Sequence, residues 1–334
     1  MKTYERGIAK ALRHSSTVLR GNALGDPHER DVWCYLPAGY EAGKERYPVI
    51  YFLAGFTGNG RMMFNADGFA ESIDLRLDRL IGSGAMPPAI CVLPDCFTRF
   101  GGSQYCNSSA TGRYEDYLID EIVPFVDAQL RTLAGRDHRG VTGKSSGGYG
   151  AFRLAMRHPD VFGALGSHAG DAYFEYCYKA DFPKFVRGIE KAGGVEKFFH
   201  NFEAMPKKTD EAMGVLNILA MAACYSPNPK EPLGIDLPVN LKTGEVRADV
   251  WKRWEAEDPV FMARGHAQAL KSLKKIFIDA GSRDEFSLDI GARIFCSRLD
   301  ELGVKYTYEE FDDTHMAIWY RYDRSLTELA KALA

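Results

Sequence analysis

Short apolar runs alternate with longer amphipathic stretches along this chain, and the runs predict strands. Pro48-Val49-Ile50-Tyr51-Phe52-Leu53 and Pro88-Ala89-Ile90-Cys91-Val92-Leu93-Pro94 carry no charged residue. Such continuity marks strands buried on both faces of a sheet. Arg30–Leu36 instead alternates polar and apolar after a turn at Gly25-Asp26-Pro27. With Ser15–Gly21 it predicts an antiparallel hairpin at a sheet edge. Gly140–Gly143, Phe162–Ser167, Lys275–Asp279 and Lys305–Phe311 bring the strands to eight.

The amphipathic stretches predict helices at Phe69–Ile81, Tyr114–Leu130, Ser146–Arg157, Ala263–Ser272, Phe286–Leu302 and Met316–Leu333. Gly82 closes the first, Pro124 is placed to kink the second, and His158-Pro159 stops the third. Glu115 and Asp116 open a helix, where its dipole favours them. This β/α alternation implies a mostly parallel eight-stranded sheet between helices, with ligands bound at the carboxyl ends of its strands.

The rhythm is lost between Ala172 and Asp258, a stretch with many aromatics and lysines, a Pro-rich turn at Ser226–Pro232, and the pair Trp251 and Trp254. We read residues 172–258 as a largely helical insertion after the sixth strand, a cap over the mouth of the sheet with its aromatics supplying a pocket wall. Residues 1–171 and 259–334 then form one core domain.

Composition narrows the function classes. The chain has 334 residues, 46% hydrophobic and 26% charged, with a formal charge of -3. That suits a soluble globular protein and argues against a nucleic-acid surface. No apolar run reaches the ~20 residues a membrane helix needs. Met1-Lys2-Thr3-Tyr4-Glu5-Arg6 has no apolar signal core, so a cytoplasmic location is expected unless a leader has been removed. Seven scattered cysteines without a C-x-x-C pattern suggest neither zinc site nor disulfide framework, only small buried side chains.

The chemistry concentrates at Gly143-Lys144-Ser145-Ser146-Gly147-Gly148-Tyr149-Gly150. A predicted strand enters it and a predicted helix leaves it, the context of a G-x-S-x-G nucleophile elbow. The glycines are demanded by crowding where strand and helix converge on a strained serine. A phosphate-binding loop would need glycine where His138 stands. Ser146 as nucleophile would need glycine in place of Lys144. Ser145 is therefore the candidate.

A serine hydroxyl needs a base, and the base needs an acid, in the chain order Ser, Asp or Glu, His. His315 lies in the loop after the last strand. Asp284 lies a few residues beyond the strand Lys275–Asp279, with Asp279 the runner-up and Glu285 third. Backbone donors for an oxyanion are expected at Ser146 and at Phe56 in the loop after Leu53, with Thr57 next. Softer substrate-facing candidates are Thr57, Asp95, Phe97, Tyr105, His168, Asp171 and Trp319, all near strand ends or the histidine loop.

Gly143-Lys144-Ser145-Ser146-Gly147-Gly148-Tyr149-Gly150-Ala151 resembles the G-x-S-x-G-G-x-x-A of the putative-esterase (esterase D-like) family of α/β hydrolases. Tyr51-Phe52-Leu53-Ala54-Gly55-Phe56-Thr57 is similar to its oxyanion strand and loop. Asp279-x-Gly281-x-x-Asp284-x-Phe286 resembles its acid loop and favours Asp284. Gly102-Ser103-Gln104-Tyr105, Asn107-Ser108 and Gly112-x-x-Glu115-Asp116-Tyr117 also fit.

The likeness spans roughly residues 15–171 and 263–334. It implies an α/β-hydrolase fold and a serine esterase or acyl transferase that uses no cofactor or metal. The family includes S-formylglutathione hydrolases, feruloyl esterases, siderophore esterases and mycolyl transferases. Lys144 stands where histidine is frequent and Ser146 where methionine is, and the interval 172–258 is atypical of esterase D. The thiol-ester substrate of that enzyme is therefore not carried over.

The favoured expectation is a serine carboxylic-ester hydrolase acting on a small-molecule ester, with no nucleic-acid or membrane partner and a homodimer left open. The alternatives are an acyl transferase passing the same acyl group to an alcohol or sugar, and a non-catalytic binding member of the fold.

Overall fold

The computed structural model describes residues 4–231 and 233–334; Met1–Thr3 and Pro232, the end of the expected Pro-rich turn, lie outside the described residues. Eight strands form one sheet: β1 (Ile8–Ser15), β2 (Glu29–Leu36), β3 (Val49–Leu53), β4 (Ile90–Pro94), β5 (Arg139–Lys144), β6 (Ala164–His168), β7 (Lys275–Gly281) and β8 (Thr307–Phe311). Their spatial order is β1-β2-β4-β3-β5-β6-β7-β8. The first two strands pair antiparallel with each other, and β2 pairs antiparallel with β4. Every later pairing is parallel. The chain has the α/β-hydrolase fold.

All residues of β3, β4 and β6 are buried, as continuous apolar runs between two helical layers should be. Helices α1 (Ile73–Gly82) and α2 (Ser146–Arg157) follow β3 and β5; α7 (Leu288–Leu302) and α8 (Tyr322–Leu333) follow β7 and β8. Between β6 and β7 the longer helices are α3 (Phe182–Ala192), α4 (Val195–Ala204), α5 (Asp210–Tyr225) and α6 (Ala248–Glu255). Their apolar residues, including Phe182, Phe198, Leu219 and Trp254, join the same buried cluster as Val141 and Leu165 of the central strands.

Several local expectations shift. The first strand is Ile8–Ser15, not Ser15–Gly21. It is an edge strand, mostly exposed, so its sequence has little reason to alternate cleanly. Residues 16–21 form a turn instead, held by Glu121, which accepts the Thr17 and Val18 N–H groups at 2.8 and 3.1 Å. α1 starts at Ile73 after Ser72, and Phe69 is wholly exposed. The expected helix Ala263–Ser272 is two short ones, Pro259–Gly265 and Ala267–Ser272, broken at His266. Before α8, Ile318–Arg321 winds as a 3₁₀ turn.

The helical run 114–129 is continuous past Pro124, because Tyr117–Ile122 widens to a π-helix with Val123 N–H bonded to Leu118 O. That i→i+5 spacing accommodates the missing proline donor. Glu115, expected at the start of a helix where its dipole favours it, is buried. It accepts from Arg153 at 2.9 Å, Arg157 at 2.8 Å and His158 at 2.8 Å, and so ties this run to α2.

Candidate active site

Ser145 sits between β5 and α2 with φ 57° and ψ -127°, a left-handed conformation that a serine adopts only when its surroundings impose it. Its N–H is pinned to the His168 carbonyl of β6 at 2.9 Å. The flanking glycines are required by contact rather than flexibility. A β-carbon on Gly147 would lie 2.1 Å from the Leu53 carbonyl oxygen, and one on Gly143 would lie 2.5 Å from the Gly147 carbonyl carbon. This turn raises Ser145 to a cavity of about 960 Å³ at the carboxyl ends of the strands.

His315, in the loop after β8, lines the same cavity. Its Nδ1 lies 2.8 Å from Asp284 Oδ2, and both side chains are buried. A carboxylate can only accept, so Nδ1 carries the proton and Nε2 is left as the basic nitrogen. Asp284 is itself fixed: its Oδ1 accepts the N–H of Phe286 at 2.9 Å and of Leu288 at 3.3 Å. Glu285 holds the backbone of the histidine loop, accepting the His315 N–H at 2.7 Å. The Phe286 ring meets the imidazole edge-on at 4.8 Å. Asp279 is committed elsewhere, to His168 at 2.6 Å and Arg321 at 2.8 Å. Ser145 forms no side-chain hydrogen bond among the described residues, so its hydroxyl and His315 share the cavity without a direct bond.

Gly55, Phe56, Thr57 and Ser146 also line the cavity. The loop carrying Phe56 is held by a 2.7 Å bond from Gly102 N–H to the Phe56 carbonyl. Tyr105 braces it from below, donating its hydroxyl to the Ala54 carbonyl at 2.6 Å. Ser146 begins α2, where the backbone N–H has no partner within the helix and lies at the positive end of the helix dipole.

The remaining candidates divide. Thr57, Asp171 and Trp319 line the cavity. Asp171 is buried and accepts from Tyr178 at 2.6 Å, Gln104 at 3.2 Å and Ser146 Oγ at 3.4 Å. Burial raises its pKa, against the lowering effect of Tyr178 and Gln104. The structure does not bring Asp95, Phe97, Tyr105 or His168 into the cavity. Asp95 pairs with Arg30 at 3.3 Å, and Phe97 gives its carbonyl to the same arginine at 2.7 Å. His168 is enclosed between Asp279 and Ser325, each at 2.6 Å.

Residues 172–258 do supply cavity wall, through Cys177, Tyr178, Asp181, Met213 and Asn217. Trp251 and Trp254 do not; they are buried against Phe182, whose ring meets theirs at 5.7 and 5.9 Å. Tyr178 carried no signal in the sequence. Gln104 stood inside a recognised motif with no role to distinguish it. Among the described residues no helix is long and apolar enough to cross a membrane.

The family model described as "Putative esterase" matches residues 22–326. The chain belongs to this family. It is 32% identical over 162 residues to an endo-1,4-beta-xylanase/feruloyl esterase of Xylanibacter ruminicola, covering 46% of this chain and 21% of that protein. It is 33% identical over 143 residues to an esterase of Mycobacterium tuberculosis, covering 41% of this chain and 28% of that one. The chain thus spans less than a third of these curated relatives. Among solved structures, a ferulic acid esterase superposes with a TM-score of 0.64 at 18% identity, over 99% of this chain and all of that one. An S-formylglutathione hydrolase from Agrobacterium tumefaciens gives 0.62 at 16% identity, covering 100% of this chain and 98% of that one. At such identities the likeness is one of fold.

Proposed function

We propose that this esterase-family protein is a serine carboxylic-ester hydrolase working through an acyl-enzyme. One observation carries the reading: the Asp284–His315 pair, 2.8 Å apart, opens onto the same cavity as the strained Ser145. His315 Nε2 takes the proton from Ser145 Oγ as the oxygen attacks the acyl carbon. Asp284 holds the imidazole in its tautomer and stabilises the imidazolium that forms. The N–H groups of Phe56 and Ser146 receive the developing oxyanion. His315 then protonates the departing alkoxide, and water, activated by the same nitrogen, releases the acid.

No step needs a cofactor. Residues 172–258, which give one wall of the cavity, act in this reading as a cap that limits the size of the ester. One relative bears the name feruloyl esterase and one solved neighbour the name ferulic acid esterase, so methyl ferulate belongs in the first assay beside 4-nitrophenyl esters of graded acyl length.

The test compares wild type with Ser145→Ala across that series and asks whether a fluorophosphonate labels Ser145. Loss of turnover by roughly 10⁴-fold or more, with labelling confined to wild type, is expected. Equal rates in the two proteins would refute the mechanism.

A further inference from the structure

The mechanism leaves one buried charge of the cavity unused. Lys144, directly before the nucleophile, is only 7% exposed and lines the cavity. Its ammonium forms no hydrogen bond or ion pair among the described residues. Its recorded neighbour is the ring of Trp319, with Nζ 5.7 Å from the centroid. The same indole stacks on Tyr322 at 6.0 Å. The ammonium thus lies over one indole at the edge of the cavity, with no acceptor for it among the described residues.

The charged groups facing Lys144 are already engaged. Asp284 is bonded to His315, Glu285 to the His315 N–H, and Asp171 to Tyr178 and Gln104. Arg76 of α1 reaches the same cavity but is tied to Asp323 and Glu71. Burial pushes the Lys144 pKa down to about 8 against the attraction of Asp284, Asp171 and Glu285, so the residue is still mostly cationic at neutral pH. A desolvated, unpartnered cation in a cavity is the arrangement that a carboxylate completes, through charge-assisted bonds stronger than neutral ones.

We propose that Lys144 forms an anion subsite beside Ser145, and that this protein prefers esters carrying a carboxylate within a few bonds of the scissile carbonyl. The proposal rests on the ester-hydrolase reading and concerns substrate binding, not the chemical step.

Four esters test it. On the acyl side, the 4-nitrophenyl hemi-ester of glutaric acid is compared with 4-nitrophenyl 5-methylhexanoate, in which an isopropyl group replaces the carboxylate. On the alcohol side, 3-acetoxybenzoate is compared with 3-isopropylphenyl acetate. The readout is the ratio of kcat/KM, anionic over neutral, which cancels a general loss of activity.

For wild type the ratio should exceed roughly tenfold on one side, which identifies where the carboxylate sits. It should collapse toward one or below in Lys144→Met, with most of the change in KM. In wild type it should also decline as pH rises through about 8, where Lys144 loses its proton. Turnover of the neutral esters with no anionic preference, or a preference that survives Lys144→Met, overturns the subsite alone. If none of the four is hydrolysed and a fluorophosphonate fails to label Ser145, the ester-hydrolase reading falls and the subsite with it.

Discussion

The Nδ1 atom of His315 and the Oδ2 atom of Asp284 meet at 2.8 Å across thirty-one residues of sequence. Both residues are buried, and the second carboxylate oxygen is anchored by the Phe286 and Leu288 amides. An asparagine at 284 could keep one amide bond through its oxygen while turning its NH₂ toward the imidazole. That would force the proton onto Nε2 and leave no basic nitrogen facing Ser145. Asp284→Asn should therefore lower kcat/KM by roughly 10³- to 10⁴-fold, with a thermal midpoint close to wild type. A loss of less than tenfold would show that the pair is not part of the catalytic relay.

Gly147 faces a backbone oxygen, not a yielding side chain. A β-carbon there would sit 2.1 Å from Leu53 O and 2.9 Å from Ala54 O, so Gly147→Ala must push β3 or its following loop away from α2. The expected cost is about 2–3 kcal/mol or more, from overpacking at a site that cannot relax. Gly214, exposed within α5, has nothing within 4 Å of its ideal β-carbon. Gly214→Ala should instead stabilise by about 0.5–1 kcal/mol. Urea unfolding of both variants checks the contrast in sign.

These two relationships differ in how visible they are in the sequence. The glycines and Ser145 are adjacent, so the crowding that selects them leaves a local mark. Asp284 and His315 could be named because the parallel β/α order puts strand ends on one rim, and a chain-order rule then leaves few choices. Asp95, Phe97, Tyr105 and His168 obey the same rule of position yet point elsewhere, since a residue near a strand end can face the sheet as readily as the cavity. The contacts among Gln104, Asp171 and Tyr178 join three separate elements, and no local periodicity encodes such a meeting. β1 lies upstream of where the sequence pattern puts it for a simpler reason: an edge strand exposed to water is under little pressure to alternate.

His168 separates structure from chemistry. Its ring bridges Asp279 and Ser325 at 2.6 Å each, outside the cavity, while its carbonyl holds the Ser145 N–H. Removing it leaves a buried carboxylate supported, among the described residues, by Arg321 alone. His168→Ala should cost about 2–4 kcal/mol of stability while kcat/KM, measured well below the unfolding transition, stays within a few-fold of wild type. A catalytic collapse in a fully folded variant would mean that His168 takes part in the reaction.

Glu115 gives the fold a pH dependence whose sign can be worked out. Burial would raise its pKa, but the bonds from His158 and Arg157 and the charge of Arg153 outweigh it and hold the group at about 2, against an ordinary 4.5. The unfolded chain therefore binds the proton first as pH falls. The stabilisation is complete above about pH 4.5, is half gone near pH 3, and is lost as pH passes through about 2. Discounted for screening by solvent around Arg157, the contribution is on the order of 2 kcal/mol at neutral pH. Glu115→Gln carries no titrating group at this position. The gap in unfolding free energy between wild type and this variant should thus be widest from pH 5 to 7 and close steadily in acid. Urea titrations at a series of pH values measure it, and a gap of constant width would show that Glu115 acts through packing and not through its charge.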